Sequence, residues 1–237
     1  MTATSFCAKK ARQLVNSVMV KIPLTLTNDD TTSIDHVAAW LRIYTDRPVV
    51  LLASGGSAAP VLAGALNQIS ETQRNRISLS LADERFGAPG HKDSNWLLLQ
   101  QSGISTQLPR HRPILTDTQE DAQATTQHWE QWLAQVIEQQ RPILALLGIG
   151  EDSHIAGIKP NSPVIDSTHI ADHYKWSDYH RITVTPLLLP HITSAVVYAS
   201  GANKQAAIQS LRHNHDPRRY PSQFLKQIRD CHVYYQP

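Results

Sequence analysis

The sequence predicts a doubly wound α/β fold: a mostly parallel sheet with helices on both faces, three-layered and Rossmann-like. Three observations carry this. Short, continuously apolar runs such as Val49–Ala53 are made for strands covered on both sides. Stretches with helical spacing alternate with those runs, which is the order a parallel sheet requires. Glycine-rich or strongly polar breaks follow the strands directly, where such sheets place their ligands.

Taken in order, the polar "TNDDTTS" at 27–33 reads as a loop, and a helix over 35–45 follows, capped by Ser33 or Asp35. "RPVVLLASGG" is a strand broken by Gly55 and Gly56. Ser57 is the N-cap of the next helix, "AAPVLAGALNQI". A second strand lies at about 76–82. A polar loop leads to the helix "SNWLLLQQSG", which Ser94 caps and Gly103 closes. "EDAQATTQHWEQWLAQVIEQQ" is the clearest helix, and "RPILALLGIG" a third buried strand. "HRITVTP" and "SAVVYASG" are two more strands. "ANKQAAIQSLRHN" and "PSQFLKQI" are helices, and "CHVYY" is a last short strand.

The 237 residues can bury a proper core, and with no repeat or linker the whole span 1–237 reads as a single domain. A composition of 41% hydrophobic and 18% charged residues is ordinary for a globular chain. A net charge of +2 is too small to argue for nucleic acid or a membrane surface, so any cationic site must be local. The N-terminal stretch has no apolar run of signal or membrane length. Cys7 and Cys231 read as free thiols in a reducing compartment. The expectation is a cytoplasmic protein, a monomer or small homo-oligomer.

Function is sought at the strand ends. "SGGSAAP" (54–60) offers glycines for close backbone approach, the amides of a helix start, and the hydroxyls of Ser54 and Ser57, together an oxyanion or phosphate cradle. It lacks the Gly-Lys-Ser/Thr ending of a phosphate-binding P-loop and is not G-x-G-x-x-G. Asp83, Glu84 and Arg85 form a charged turn after the second strand. After the third, Gly148 and Gly150 free the backbone, and Asp152 stands two residues before His154, the spacing of a base and its orienting carboxylate. Of 12 histidines, His91, His128, His173, His191, His213 and His215 read as surface residues, whereas His154 has a strand-end address. Arg181 starts another strand, and Lys204 lies in the first turn of a helix, a position that favours a bound anion. Together these point to a small anionic substrate, most simply a phosphate ester, with acid/base chemistry at its other end.

The ordered motifs "SGGSAAP", "LADERF" with "DSN" (93–95), "LLGIGEDSHIAGIKP", "RITVTP" and "SGANKQAAI" resemble the family of 6-phosphogluconolactonases and glucosamine-6-phosphate deaminases (isomerases) over about residues 45–225. The deaminase motif reads roughly G-x-D-G-H-I-A-F-N-E-P, and its glutamate is replaced here by Lys159. "DER" and Ser94-Asn95 look like the lactonase branch. The resemblance thus implies a hydrolase acting on 6-phosphogluconolactone, a step of the pentose phosphate pathway. Ser54, Gly55, Gly56 and Ser57 hold the phosphate, and Lys204 and Arg181 neutralise it. His154 activates water, with Asp152 orienting it. Arg85 stabilises the oxyanion or grips the substrate, and Asp83 shapes that turn. No metal or organic cofactor is implied, and the partner is a phosphorylated sugar lactone. Two rivals are an amino-sugar-phosphate deaminase and a non-catalytic sugar-phosphate-binding protein. The motif glycine before the histidine is Ser153 here, which is strained if that position needs a positive φ.

Overall fold

The computed structural model describes residues 21–44, 46–108, 110–112, 121–177 and 179–237. Cys7 lies outside the described residues. A seven-stranded sheet is built from β1 (Leu24–Leu26), β2 (Val49–Ala53), β3 (Ile77–Leu81), β5 (Arg110–Arg112), β6 (Ile143–Leu147), β9 (Ser194–Ser200) and β10 (Cys231–Gln236). Its order is β1-β10-β9-β6-β2-β3-β5, and every pairing is parallel. The central strands β2 and β6 are buried along their whole length, as their unbroken apolar sequences require.

The helices follow from the order of the strands. The chain steps along the sheet from β1 through β2 and β3 to β5, using α1 (Thr31–Ile43), α2 (Ala58–Asn67), α3 (Glu71–Arg74), α4 (Asn95–Gln101) and α5 (Ile104–Gln107). It returns from β5 to β6, β9 and β10, using α6 (Ala122–Glu138) and α7 (Gln205–Ser210). Right-handed crossovers place the outward and return helices on opposite faces, which is the doubly wound, three-layer arrangement the sequence predicts. The core between the layers includes Val37, Leu51, Leu62, Leu79, Leu133, Leu146 and Val197.

Three details depart from expectation. α1 begins at Thr31, so Ser33 and Asp35 lie inside it. Asp29 Oδ1 accepts from Thr31 N at 2.9 Å instead, and the buried Ser33 hydroxyl donates to Asp30 O. Ser57 occupies the N-cap position of α2 without a side-chain cap bond. "PSQFLKQI" forms 3-10 turns at Pro221–Gln227. The caps at α4 are as expected: Ser94 Oγ accepts from Leu97 N at 3.1 Å, and Gly103 leaves the helix at φ +70°.

The larger correction is a second sheet. "DERF" is a strand, β4 (Asp83–Phe86), paired antiparallel with β8 (Tyr179–Val184), which pairs in turn with β7 (Ala171–Trp176). "HRITV" therefore belongs to a three-stranded antiparallel sheet, outside the parallel one. Ala82 is the joint. Its N–H donates to Ala53 O in the large sheet at 2.9 Å, and its carbonyl accepts from Val184 N at 3.0 Å in the small one.

Candidate active site

After β2 the chain moves toward β3 and β5; after its neighbour β6 it moves toward β9 and β10. At such a reversal the two helix layers part and leave a crevice at the carboxyl ends of the strands. The loops that open it are 54–57 and 148–159. Ser54 N donates to Leu146 O at 2.9 Å, tying the first loop to β6. The Ala82 joint sets the small sheet beside the same serine.

In the first loop Ser54 is buried, and its Oγ has no partner among the described residues. Gly56 has φ +70°, open to glycine at no steric cost. α2 begins at Ala58, so its free amides face this turn. Asn95, the first residue of α4, reaches across Gly55 and donates from Nδ2 to Asp83 O at 2.9 Å.

In the second loop Asp152 and His154 meet, as their spacing predicts. Asp152 Oδ1 contacts His154 Nδ1 and also accepts from the His154 backbone N–H at 3.2 Å. Lys159 Nζ donates to Asp152 Oδ2 at 3.1 Å and lies 3.0 Å from His154 Nδ1. Burial alone would raise the Asp152 carboxyl. The bonds and charges of His154 and Lys159 outweigh it and hold the group well below the usual carboxylate range.

The loop gets its shape from the small sheet. Thr183 Oγ1 on β8 accepts from Gly157 N at 2.9 Å, and Tyr174 OH on β7 donates to Gly157 O at 2.5 Å. Burial pushes the Tyr174 phenol up to about 12, so it remains a donor. Ser153 has φ +66°, the left-handed conformation foreseen for the motif glycine. Its carbonyl accepts from Ser222 N at 2.8 Å.

β4 is more than a solvated charged turn. Asp83 and Glu84 are both buried. The Glu84 carboxylate accepts from Arg85 N and Asn95 N at 2.7 Å, Trp96 N at 2.9 Å and Ser94 Oγ at 3.0 Å. It thereby pins the start of α4 to β4. Burial pushes the Asp83 carboxyl up, and Arg85, Arg181 and His154 pull against it without prevailing. Arg181 Nη1 lies 3.9 Å from Asp83 Oδ2. Arg85 and Arg181 stand opposite each other in the β4–β8 register, and the buried Nε of each has no partner among the described residues. Arg85 Nη1 donates to Asp93 O at 2.9 Å, and His91, half-buried, contacts Arg85 O through Nε2 at 2.6 Å. His173 and His191 are likewise half-buried, while His128, His213 and His215 are exposed as expected.

Lys204 ends a 3-10 turn (Ala202–Lys204) after β9; its N–H donates to Gly201 O at 3.0 Å, and its side chain has no hydrogen bond or ion pair among the described residues. Asn203 Nδ2 donates to Glu151 Oε2 at 3.3 Å, joining this turn to the His154 loop. The loops that carry residues 54–57, Asp152 with His154, and Lys204 follow β2, β6 and β9 and so leave one rim of the parallel sheet, and Asp83, Arg85 and Arg181 lie on β4 and β8 of the small sheet. Sequence reasoning missed Glu84, Asn95, Tyr174 and Thr183 as the supports of that rim. The Ser94-Asn95 pair was a usable signal for the first two; nothing local marked Tyr174.

Among the described residues, no three His, Cys, Asp or Glu side chains converge as a metal site, and no helix is long and apolar enough to cross a membrane.

Comparison with known proteins agrees with this fold. A probable 6-phosphogluconolactonase 1 of Arabidopsis thaliana is 32% identical over 145 residues, 54% of this chain and 53% of that protein, so the match spans about half of that relative. A 6-phosphogluconolactonase of Xylella fastidiosa is 27% identical over 217 residues, 84% of this chain and 86% of its own length. The crystal structure of a 6-phosphogluconolactonase from Shewanella baltica superposes with a TM-score of 0.75 at 13% identity, covering 93% of this chain and 100% of that one, a likeness of fold. Residues 34–233 match the family described as glucosamine-6-phosphate isomerases/6-phosphogluconolactonase, and the chain belongs to that family.

Proposed function

We propose that this protein hydrolyses 6-phosphogluconolactone to 6-phosphogluconate. One observation carries the reading: an Asp152–His154 pair at the point where the sheet reverses direction, beside a glycine turn at a helix start. The names of the sequence relatives support the same substrate.

In this reading Asp152 holds Nδ1, leaving Nε2 to take a proton from water as that water adds to the lactone carbonyl. Collapse of the tetrahedral intermediate breaks the ring ester bond, and the protonated imidazole returns its proton to the leaving alkoxide. Arg85 stabilises the oxyanion or grips the substrate. The phosphate sits against the Ser54, Gly55, Gly56 and Ser57 turn and the start of α2, and Lys204 and Arg181 neutralise it. Asp83 sets the two arginines of the small sheet. A lactone is an activated ester, so a positioned base contributing about 10²–10⁴-fold is a useful rate gain. An amino-sugar deaminase requires a carboxylate supporting its histidine at position 159, and a lysine holds that place.

The test is lactonase kinetics with freshly generated 6-phosphogluconolactone, spontaneous hydrolysis subtracted. His154→Asn is expected to lower kcat by at least about 100-fold. A variant within a few-fold of the parent would show that His154 is not the base. Formation of fructose 6-phosphate and ammonia from glucosamine 6-phosphate would move the protein to the other branch. A parent with no turnover on either substrate would leave a binding protein.

A further inference from the structure

His154 Nδ1 has two polar neighbours, Asp152 Oδ1 and Lys159 Nζ, the second at 3.0 Å. One ring nitrogen cannot donate to the first and accept from the second at once. A carboxylate oxygen this close to a bare nitrogen would set two lone pairs face to face. The proton therefore lies between Nδ1 and Asp152, and Nε2 carries the free lone pair. Lys159 then has no hydrogen bond to make with the ring. Its side chain is only 15% exposed, its Nζ bonds Asp152 Oδ2, and its positive charge is held against the imidazole.

A carboxylate alone would stabilise the imidazolium and make His154 the stronger base, but one more readily lost to protonation. The ammonium works in the opposite sense: it offsets the Asp152 charge and repels a second charge on the ring. We propose that Lys159 is a positioning residue that locks the Asp152 carboxylate onto Nδ1 and keeps His154 in its free-base form to lower pH than the Asp–His pair alone would. The consequence rests on the lactonase reading. Hydroxide-driven opening of a lactone slows as pH falls, so a base that stays unprotonated works where the uncatalysed reaction is weakest.

Further charged groups near the ring are on the small sheet. Asp83 on β4 is within electrostatic reach of His154, and Arg85 and Arg181 flank Asp83 in turn. All three remain in the variants that test the proposal, so a change in titration reports Lys159.

Lys159→Met removes the charge at nearly constant length; Lys159→Gln is a second neutral variant should the first fold poorly. Lys159→Arg keeps the charge. The readouts are the NMR titration of His154 in histidine-labelled protein, assigned through His154→Asn, and kcat/KM against pH. The His154 midpoint is expected to rise by about one pH unit in the neutral variants and to stay within a few tenths in Lys159→Arg. The acid limb of kcat/KM should move up with it. A midpoint that stays put or falls in the neutral variants overturns the proposal, as does a loss of activity that is uniform in pH. The NMR arm needs no substrate, so absence of turnover would count against the lactonase reading while leaving the titration to judge Lys159.

Discussion

The imidazole of His154 rests on the α-carbon of Gly150. A Cβ at residue 150 would stand 1.9 Å from His154 Nδ1 and 2.6 Å from Asp152 Oδ1, far inside van der Waals contact. The glycine is thus the floor on which the Asp–His pair is assembled. Gly150→Ala must push the ring aside, and the loop is held from the other side by Thr183 and Tyr174. A displacement of about 1 Å costs about 10²-fold in rate. Steady-state kinetics should show that loss in kcat, with the circular dichroism spectrum unchanged.

In the proposed reaction Asp152 links catalysis to stability. Its carboxyl is depressed in the fold, so the fold favours the ionised form. That contribution is fully present above the unfolded carboxylate value of about 4 and fades as pH falls through the lower folded value. Asp152→Asn should therefore lower stability at pH 7 in urea titrations, and the gap to the parent should narrow below about pH 4. Turnover at pH 7 should fall by about 10²-fold or more, since an amide can hold Nδ1 in the wrong protonation state.

Ser153 holds a left-handed backbone that glycine adopts without strain. The Ser222 N–H bond goes to its carbonyl and survives a change of side chain. Ser153→Gly is expected to stabilise the protein by about 1 kcal/mol, raising Tm by roughly 2–4 °C in calorimetry. An unchanged or lower Tm would mean that the buried serine side chain contributes more than the backbone strain removes.

Glu84 is a buried carboxylate with four donors around it. Glu84→Gln turns one acceptor into a donor facing donors, at a cost of about 2–3 kcal/mol in urea unfolding. Because the same group pins Asn95 and the start of α4 to β4, activity should fall as well. Loss of stability without loss of activity would separate Glu84 from the site.

Lys204 should act on binding. Lys204→Ala is expected to raise KM for the phosphorylated lactone by about tenfold, as loss of a charge-assisted contact does, with kcat within a few-fold. An unchanged KM would remove Lys204 from the phosphate site.

The strands β2, β3, β6, β9 and β10 and the helices α1, α2, α4 and α6 were legible because each announces itself locally, through an apolar run, a helical period or a cap such as Ser94. The short edge strands β1 (LTL) and β5 (RHR) carry too few residues to show a pattern. β7 (ADHYKW) mixes polar and apolar residues because it is only partly buried. Asp83 and Glu84 look like surface charges in the sequence, since the donors that satisfy them come from residues 94–96 and from another strand.

The order of elements, the glycine turn at 54–57 and the Asp152–His154 spacing are properties of neighbouring residues, so the sequence alone determined them. The antiparallel pairing of 83–86 with 179–184 and 171–176, the facing of Arg85 and Arg181, and the placing of Lys159 against the Asp–His pair depend on contacts between distant segments. Only the folded chain decides these, because burial and register are set by which surfaces meet.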